Sequence, residues 1–196
     1  MIGFVLGVVS LGLIRAAVVP PDPVVHHHAN LAVFLQGERF DFSADRYMED
    51  VASCYGGAGS NPRERVHFHE NNPDVVHVHA AGATWGHLFQ NLGWSLGAGH
   101  LITDDRRRFF HGEGGELFFV LNGLPVDRVE DRVVGSGDRL LVSFSSAPLE
   151  SVVQDEFPRV ADNALEYNLK PDPASCSGSG HEGHGPLDRL RRGFWR

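Results

Sequence analysis

The 196-residue sequence predicts an α+β domain in which a mixed sheet wraps over a single helix, with a membrane segment before it and a tail behind it. Three observations carry that expectation. Strand-forming runs separated by turn residues occur twice in succession, as in β-hairpins. One stretch, Trp85 to Leu92, has the i, i+3, i+4, i+7 apolar spacing of an amphipathic helix, in Trp85, Leu88, Phe89 and Leu92. Two later runs, Glu116 to Asn122 and Arg139 to Phe144, have the length and apolar content of buried strands.

In chain order, Ile2 to Val19 is apolar apart from Ser10 and Arg15 and is long enough to cross a bilayer. No basic residue precedes it and no small-residue cleavage site follows, so residues 1–19 are expected to form an uncleaved signal anchor. Pro20-Pro21-Asp22-Pro23 makes residues 20–25 a stiff spacer, and the rest of the chain is then membrane-anchored and extracytoplasmic. Leu31 to Leu35, the Gln36-Gly37-Glu38 turn and Arg39 to Phe42 form the first predicted hairpin. Arg46 to Asp50 has the content for one helical turn, and the glycine-rich stretch up to Pro62 is a loop.

The second hairpin is the stretch around which the chain is organised. His67 and His69 flank Phe68, His77 and His79 flank Val78, and Glu70-Asn71-Asn72-Pro73-Asp74 between them is a turn cluster. Because strand side chains alternate faces, each His-x-His pair places both imidazoles on one face and its apolar residue on the other. Strands Val66 to His69 and Val75 to His79 would then bring four imidazoles together. His26 and His28 also share a face if the first strand already runs there, and His28 is a further candidate ligand. Imidazole ligates zinc, copper and nickel, so the arrangement points to a metal site, whereas separate hydrated histidines are the simpler alternative.

Thr84 can cap the helix and Gly93 can stop it, with His87 off the apolar stripe and at the surface. Leu101-Ile102 and Arg106 to His111 are candidate short strands. Gly123 and Pro125 end the Glu116 to Asn122 strand, and Gly135-Ser136-Gly137-Asp138 introduces the last one. Residues 26–147 form the predicted domain, 148–170 a partly helical extension interrupted at Pro158, and 171–196 a disordered Pro/Ser/Gly-rich tail. His181 and His184 in that tail could catch metal loosely.

A formal charge of −8 and a sequence pI near 5.8 leave no extended phosphate-binding surface, so nucleic acid is not an expected partner. No Gly-x-Ser-x-Gly elbow, phosphate loop or dinucleotide fingerprint is present.

The order of hairpins, helix and two closing strands resembles a ubiquitin-like β-grasp domain, a fold that hosts many functions. More narrowly, His28-Ala29-Asn30-Leu31-Ala32-Val33-Phe34, Val76 to Thr84 and Gly137-Asp138-Arg139 resemble an uncharacterised family of exported, His-rich archaeal and bacterial proteins. The likeness covers roughly residues 26 to 145. The family motif has a second histidine where this chain has Asn30, and it implies no activity that could be transferred.

Three functions remain open on these residues. One is a membrane-tethered domain binding copper or zinc through His67, His69, His77 and His79, with protons competing for the ligands as pH drops through about 6.5. The second is a His-ligated metalloenzyme. Glu70 sits closer to the pair than a cupin glutamate would, and Ala80-Ala81-Gly82 stands where a metallo-β-lactamase-type Asp-His would be. The third is an interaction module without metal. Independently of these, the exported setting and the even cysteine count predict a Cys54–Cys176 disulfide. Mass spectrometry of non-reduced, alkylated protein is expected to find neither thiol labelled; two labelled cysteines in material from an oxidising compartment would exclude the bridge.

Overall fold

A computed structural model describes residues 25–49 and 62–170, with Leu11 alone outside them. In chain order the strands are β1 (His27–Leu35), β2 (Glu38–Arg39), β3 (Val66–His67) and β4 (Val75–Val78). The helix α1 (Trp85–Asn91) follows. Next come β5 (Ser95–Gly97), β6 (His100–Ile102), β7 (Arg108–Phe110), β8 (Glu116–Leu121), β9 (Leu124–Val126) and β10 (Arg139–Ser145). A last short helix, α2 (Ala164–Tyr167), belongs to the C-terminal extension.

Seven strands make one mixed sheet in the order β3-β4-β1-β10-β8-β9, with β2 paired to the end of β1. The first and last strands lie side by side and parallel, with Leu31 opposite Leu140 and Leu35 opposite Phe144. The remaining pairs in this sheet are antiparallel. Both predicted buried strands are present, and β1 is longer than expected because pairing with β4 begins at His27. Strands β5, β6 and β7 form a separate three-stranded sheet.

Alternation divides the large sheet into two faces of different chemistry. On one, Leu31 and Val33 of β1, Val76 and Val78 of β4, and Leu140 and Val142 of β10 pack with Trp85, Leu88 and Phe89 of α1. These side chains are fully or almost fully buried, and at roughly 25 cal/mol per Å² their removal from water is the main drive for assembling this layer. Helix α1 starts where the sequence indicates. Thr84 accepts from the His87 backbone N–H at 3.2 Å, and His87 Nδ1 accepts from the Thr84 N–H at 3.0 Å, so His87 completes a capping box instead of standing idle at the surface. The Trp85 and Gly86 N–H groups donate to the Arg132 and Glu130 carbonyls. That close approach requires glycine at position 86, since a Cβ there would sit 2.5 Å from the Glu130 oxygen.

On the opposite face, Ala32 and Phe34 of β1 pack with Leu141 of β10 and Val120 of β8 beneath Val152 and Val160 of the C-terminal extension. The extension is a broken helix, as Pro158 requires: one α turn at Leu149–Ser151, a π turn at Val152–Glu156, a 3-10 turn at Phe157–Arg159, then α2. Leu165 in α2 is exposed.

Other departures have local causes. The expected strand Arg39 to Phe42 stays on β1 only as far as Arg39 and the Phe40 N–H, which donates to the Val33 carbonyl at 2.8 Å, because Asp41 accepts from the Ser43 N–H at 2.8 Å and turns the chain. Phe40 and Phe42 then enter an aromatic cluster in which Phe42 lies 5.1 Å from Trp94, 5.2 Å from Tyr47 and 5.5 Å from Phe68. Strand β9 was masked in the sequence by Pro125, which is tolerated because β9 is the sheet edge. The helical turn expected over Arg46 to Asp50 is a 3-10 turn at Asp45–Tyr47. Residues 1–10, 12–24, 50–61 and 171–196 lie outside the described residues, and with them the proposed anchor, both cysteines and the tail. Among the described residues no helix is long and apolar enough to cross a membrane.

Leu88→Ala is expected to destabilise the domain by about 2–5 kcal/mol, since it empties a fully buried site between α1 and the sheet. Leu124→Ala, at a position 69% exposed, is expected to change stability by less than about 0.5 kcal/mol. Denaturant unfolding of both variants checks the contrast.

Candidate metal centre

The second sheet face changes character towards β3, where it becomes a layer of imidazoles. Strand β4 lies between β3 and β1, and His77 is opposite His67 on one side and His28 on the other. These three therefore point the same way. His69 and His79 extend the row by two residues from His67 and His77, and His26 lies two residues before His28. The phenyl ring of Phe68 and the side chain of Val78 point into the apolar core, as the alternation predicts.

Strand β3 ends at His67, two residues sooner than expected, for a visible reason. The Phe68 carbonyl accepts from the Glu49 N–H at 2.8 Å, so the backbone there bridges to the Met48 segment. Glu70 and Asn71 then adopt left-handed φ values of 57° and 53°, and Asn72 N–H donates to the His69 carbonyl at 3.2 Å. This tight turn folds His69 back over the strand pair. Its ring centroid lies 3.4 Å from that of His77, and 5.5 Å from that of His67. His79 is 5.1 Å from His67 and 4.9 Å from His26 in stacked arrangements.

Two triads place one ring nitrogen per residue within 4.8 Å of the others: His67, His69 and His79, and His26, His77 and His79. All four histidines expected as ligands are thus brought together, and His26 joins them. An ion about 2.0 Å from each nitrogen needs them within about 4 Å of one another, so small side-chain adjustments close either triad. His28 plays a different part. Its Nε2 is 2.9 Å from His77 Nδ1 and its Nδ1 is 2.8 Å from Asn168 Oδ1, so both of its nitrogens are engaged by neighbouring side chains. Asn30, on the same face and buried, is not positioned as a ligand. Its amide nitrogen donates to the Asp74 carbonyl and to Asn163 Oδ1, and its oxygen accepts from the backbone N–H groups of Asn163 and Ala164.

The remaining histidines among the described residues face elsewhere. His27 points to the other side of β1 and contacts the Val134 carbonyl. His100 meets Ser95, and His111 meets Glu116.

Burial and mutual proximity make the cluster a set of neutral bases. His28, His67, His69 and His77 are almost completely buried. Burial lowers the pKa of His69 to about 3, with the neighbouring His67, His28 and His26 adding to the shift. Burial and the charges of His67, His26, His69 and His28 lower His79 to about 2. His77 is lowered further still, first by burial and then by His69, His28, His67 and His79. Burial also lowers His67, partly offset by its bond to the Arg63 carbonyl and by the Glu49 carboxylate, and it lowers His26. The sequence-level expectation of ligand protonation near 6.5 is therefore corrected: in the folded domain these imidazoles resist protonation well below that value.

Several of these nitrogens face no hydrogen-bonding group. His67 Nε2, both nitrogens of His69, His77 Nε2 and His79 Nε2 are buried without a hydrogen-bond partner among the described residues. The Glu70 carboxylate is 4.0 Å from His69 Nδ1, beyond hydrogen-bonding distance. An orphaned buried polar group costs about 1–3 kcal/mol, so a cluster of them calls for a ligand that uses lone pairs. Comparison with protein-family models, curated proteins and solved structures finds no match, so the chemistry of this face stands on its own geometry.

The lowered pKa values fix a pH dependence. The unfolded chain takes up protons on His69 and His79 as pH falls through about 6.5, whereas the folded domain does so only at about pH 3 and about pH 2. Stability of the metal-free domain is therefore full above pH 6.5 and lost as pH falls, by up to about 1.4 kcal/mol per pH unit for each such histidine. Denaturant unfolding at pH 7.5 and pH 5 in the presence of chelator should show the lower midpoint at pH 5; equal midpoints would mean that the rings are solvated.

Proposed function

We propose that this is a membrane-tethered, extracytoplasmic domain that binds a divalent transition metal, copper(II) or zinc, through His67, His69, His77 and His79 with His26 beside them. The observation that carries the metal reading is the conjunction of two His triads with buried, unpartnered ring nitrogens. Neutral imidazole is the required ligand form, and burial maintains it. An all-imidazole donor set suits zinc or copper(II) better than copper(I), which favours sulfur, and better than calcium or magnesium, which favour oxygen. His67 also has the outer partner usual for a ligand: its Nδ1 donates to the Arg63 carbonyl at 2.7 Å, leaving Nε2 as a base.

The scaffold is proposed to be β-grasp. The central parallel pairing of first and last strands, the antiparallel strands on either side and the helix packed across one face support it. The tether and the extracytoplasmic setting rest on the apolar run from Ile2 to Val19.

The experiment is metal titration of the chelator-stripped chain, followed by calorimetry, with electron paramagnetic resonance for copper(II). One tightly held ion with nitrogen couplings is expected. Replacing His67, His69, His77 and His79 together by alanine should abolish binding. A quadruple variant that binds zinc or copper(II) as well as the parent would reduce the histidine face to a polar surface and sink the proposal.

A further inference from the structure

Asn168 lies just beyond α2, in the C-terminal extension and far in sequence from the strands that carry the histidines. Its side-chain oxygen accepts from the His28 backbone N–H at 2.9 Å, and its Nδ2 donates to Ser136 Oγ at 3.0 Å. Those two contacts fix which end of the amide is which, because a backbone N–H needs an acceptor. The same oxygen lies 2.8 Å from His28 Nδ1. An amide oxygen can only accept, so His28 carries its proton on Nδ1.

The consequence passes to the next ring. In a neutral imidazole protonated at Nδ1, Nε2 is an acceptor. His28 Nε2 is 2.9 Å from His77 Nδ1, so His77 Nδ1 must donate. His77 therefore keeps its lone pair on Nε2, the buried nitrogen that has no hydrogen-bond partner among the described residues. With the opposite tautomer, His77 would present a proton to the ion and could not ligate through Nε2.

We infer that Asn168 is a positioning residue of the metal centre: through His28 it sets His77 in the Nδ1–H tautomer and leaves Nε2 as the ligand atom. The inference rests on the proposed metal-binding function. The extension is held where this relay needs it. Asn30 Oδ1 accepts from the Asn163 and Ala164 N–H groups at the start of α2, and Asn72 donates to the Tyr167 hydroxyl at 2.7 Å. On the far side of β4, His67 reaches the same tautomer by donating to the Arg63 carbonyl. His28, expected from the sequence as a candidate ligand, thus acts on the site through His77.

The test uses the full chain with ¹⁵N-labelled histidine, free of metal at pH 8, where long-range proton–nitrogen correlations distinguish the two tautomers. His28 and His77 should both appear protonated at Nδ1. Asn168→Leu removes the acceptor and should mix the tautomers of His77 and weaken zinc binding by about 10–100-fold, the usual effect of losing an outer-shell partner. Asn168→Asp keeps an acceptor and should restore affinity close to that of the parent. Zinc binding by a parent whose His77 is protonated at Nε2, or parent-like affinity in Asn168→Leu, overturns this inference alone. Tautomers as stated in a parent that binds neither zinc nor copper(II) overturn the metal function and leave the relay in place. If Asn168→Leu does not fold, the parent spectrum and the Asn168→Asp affinity decide the matter.

Discussion

Buried imidazoles ordinarily have both ring nitrogens hydrogen-bonded, and the rest of this structure is arranged around a set in which at least one nitrogen of each ring is not. His67, His69, His77 and His79 form a layer at one end of a sheet face, and His67 Nε2, both nitrogens of His69, His77 Nε2 and His79 Nε2 meet no hydrogen-bonding group among the described residues. Leaving such atoms dry opposes folding, and protonating them there opposes it further. The domain tolerates this because the other face of the same strands is driven inward. Phe68, Val76 and Val78 are inseparable from the histidines beside them, and burying the apolar residues against α1 and the aromatic cluster places the imidazoles on the opposite side. Ligand placement and core packing are thus two consequences of one period-two alternation.

Topology determines how many imidazoles meet. A hairpin alone would bring together only the histidines of β3 and β4. Because β1 pairs with the free edge of β4, His77 acquires histidine neighbours on both sides, and the parallel β1–β10 pair anchors β1 in the middle of the sheet. His77 consequently has its proton affinity lowered by burial and by four neighbouring rings. The turn after His69 adds the last component, since left-handed Glu70 and Asn71 fold the His69 ring over His77 instead of letting it continue along the strand.

The C-terminal extension serves the two halves of this face differently. Over Ala32, Phe34 and Leu141 it supplies apolar side chains, Val152 and Val160, and works as core. Over β1's first residues it supplies amides: Asn163 meets Asn30, and Asn168 meets His28. Asn30 itself ties down the extension, through Asn163 and the Ala164 N–H, and so anchors the segment that carries Asn168.

Much of this was legible in the sequence because it depends on short periods. The strand alternation of His67-Phe68-His69 and His77-Val78-His79, the 3.6-residue apolar stripe of Trp85, Leu88 and Phe89, and the Thr84 and Gly93 boundaries are local patterns; they located α1 and both strands, although β3 stops at His67 and β4 at Val78. Local periodicity also put His26 and His28 on a common face. It carries no information about which strand lies next to which, so it could not show that β1 docks on β4, that His28 binds a ring and an amide in place of an ion, or that Asn168 reaches back 140 residues to His28. Pro125 hid an edge strand, and the Asp41–Ser43 turn shortened another, for the same reason: hydrogen bonds to distant or flanking groups override residue preference. The sequence determined which residues are able to ligate and which face they share. Only the tertiary structure decided which of their nitrogens are free to do so, because that depends on partners brought together by folding.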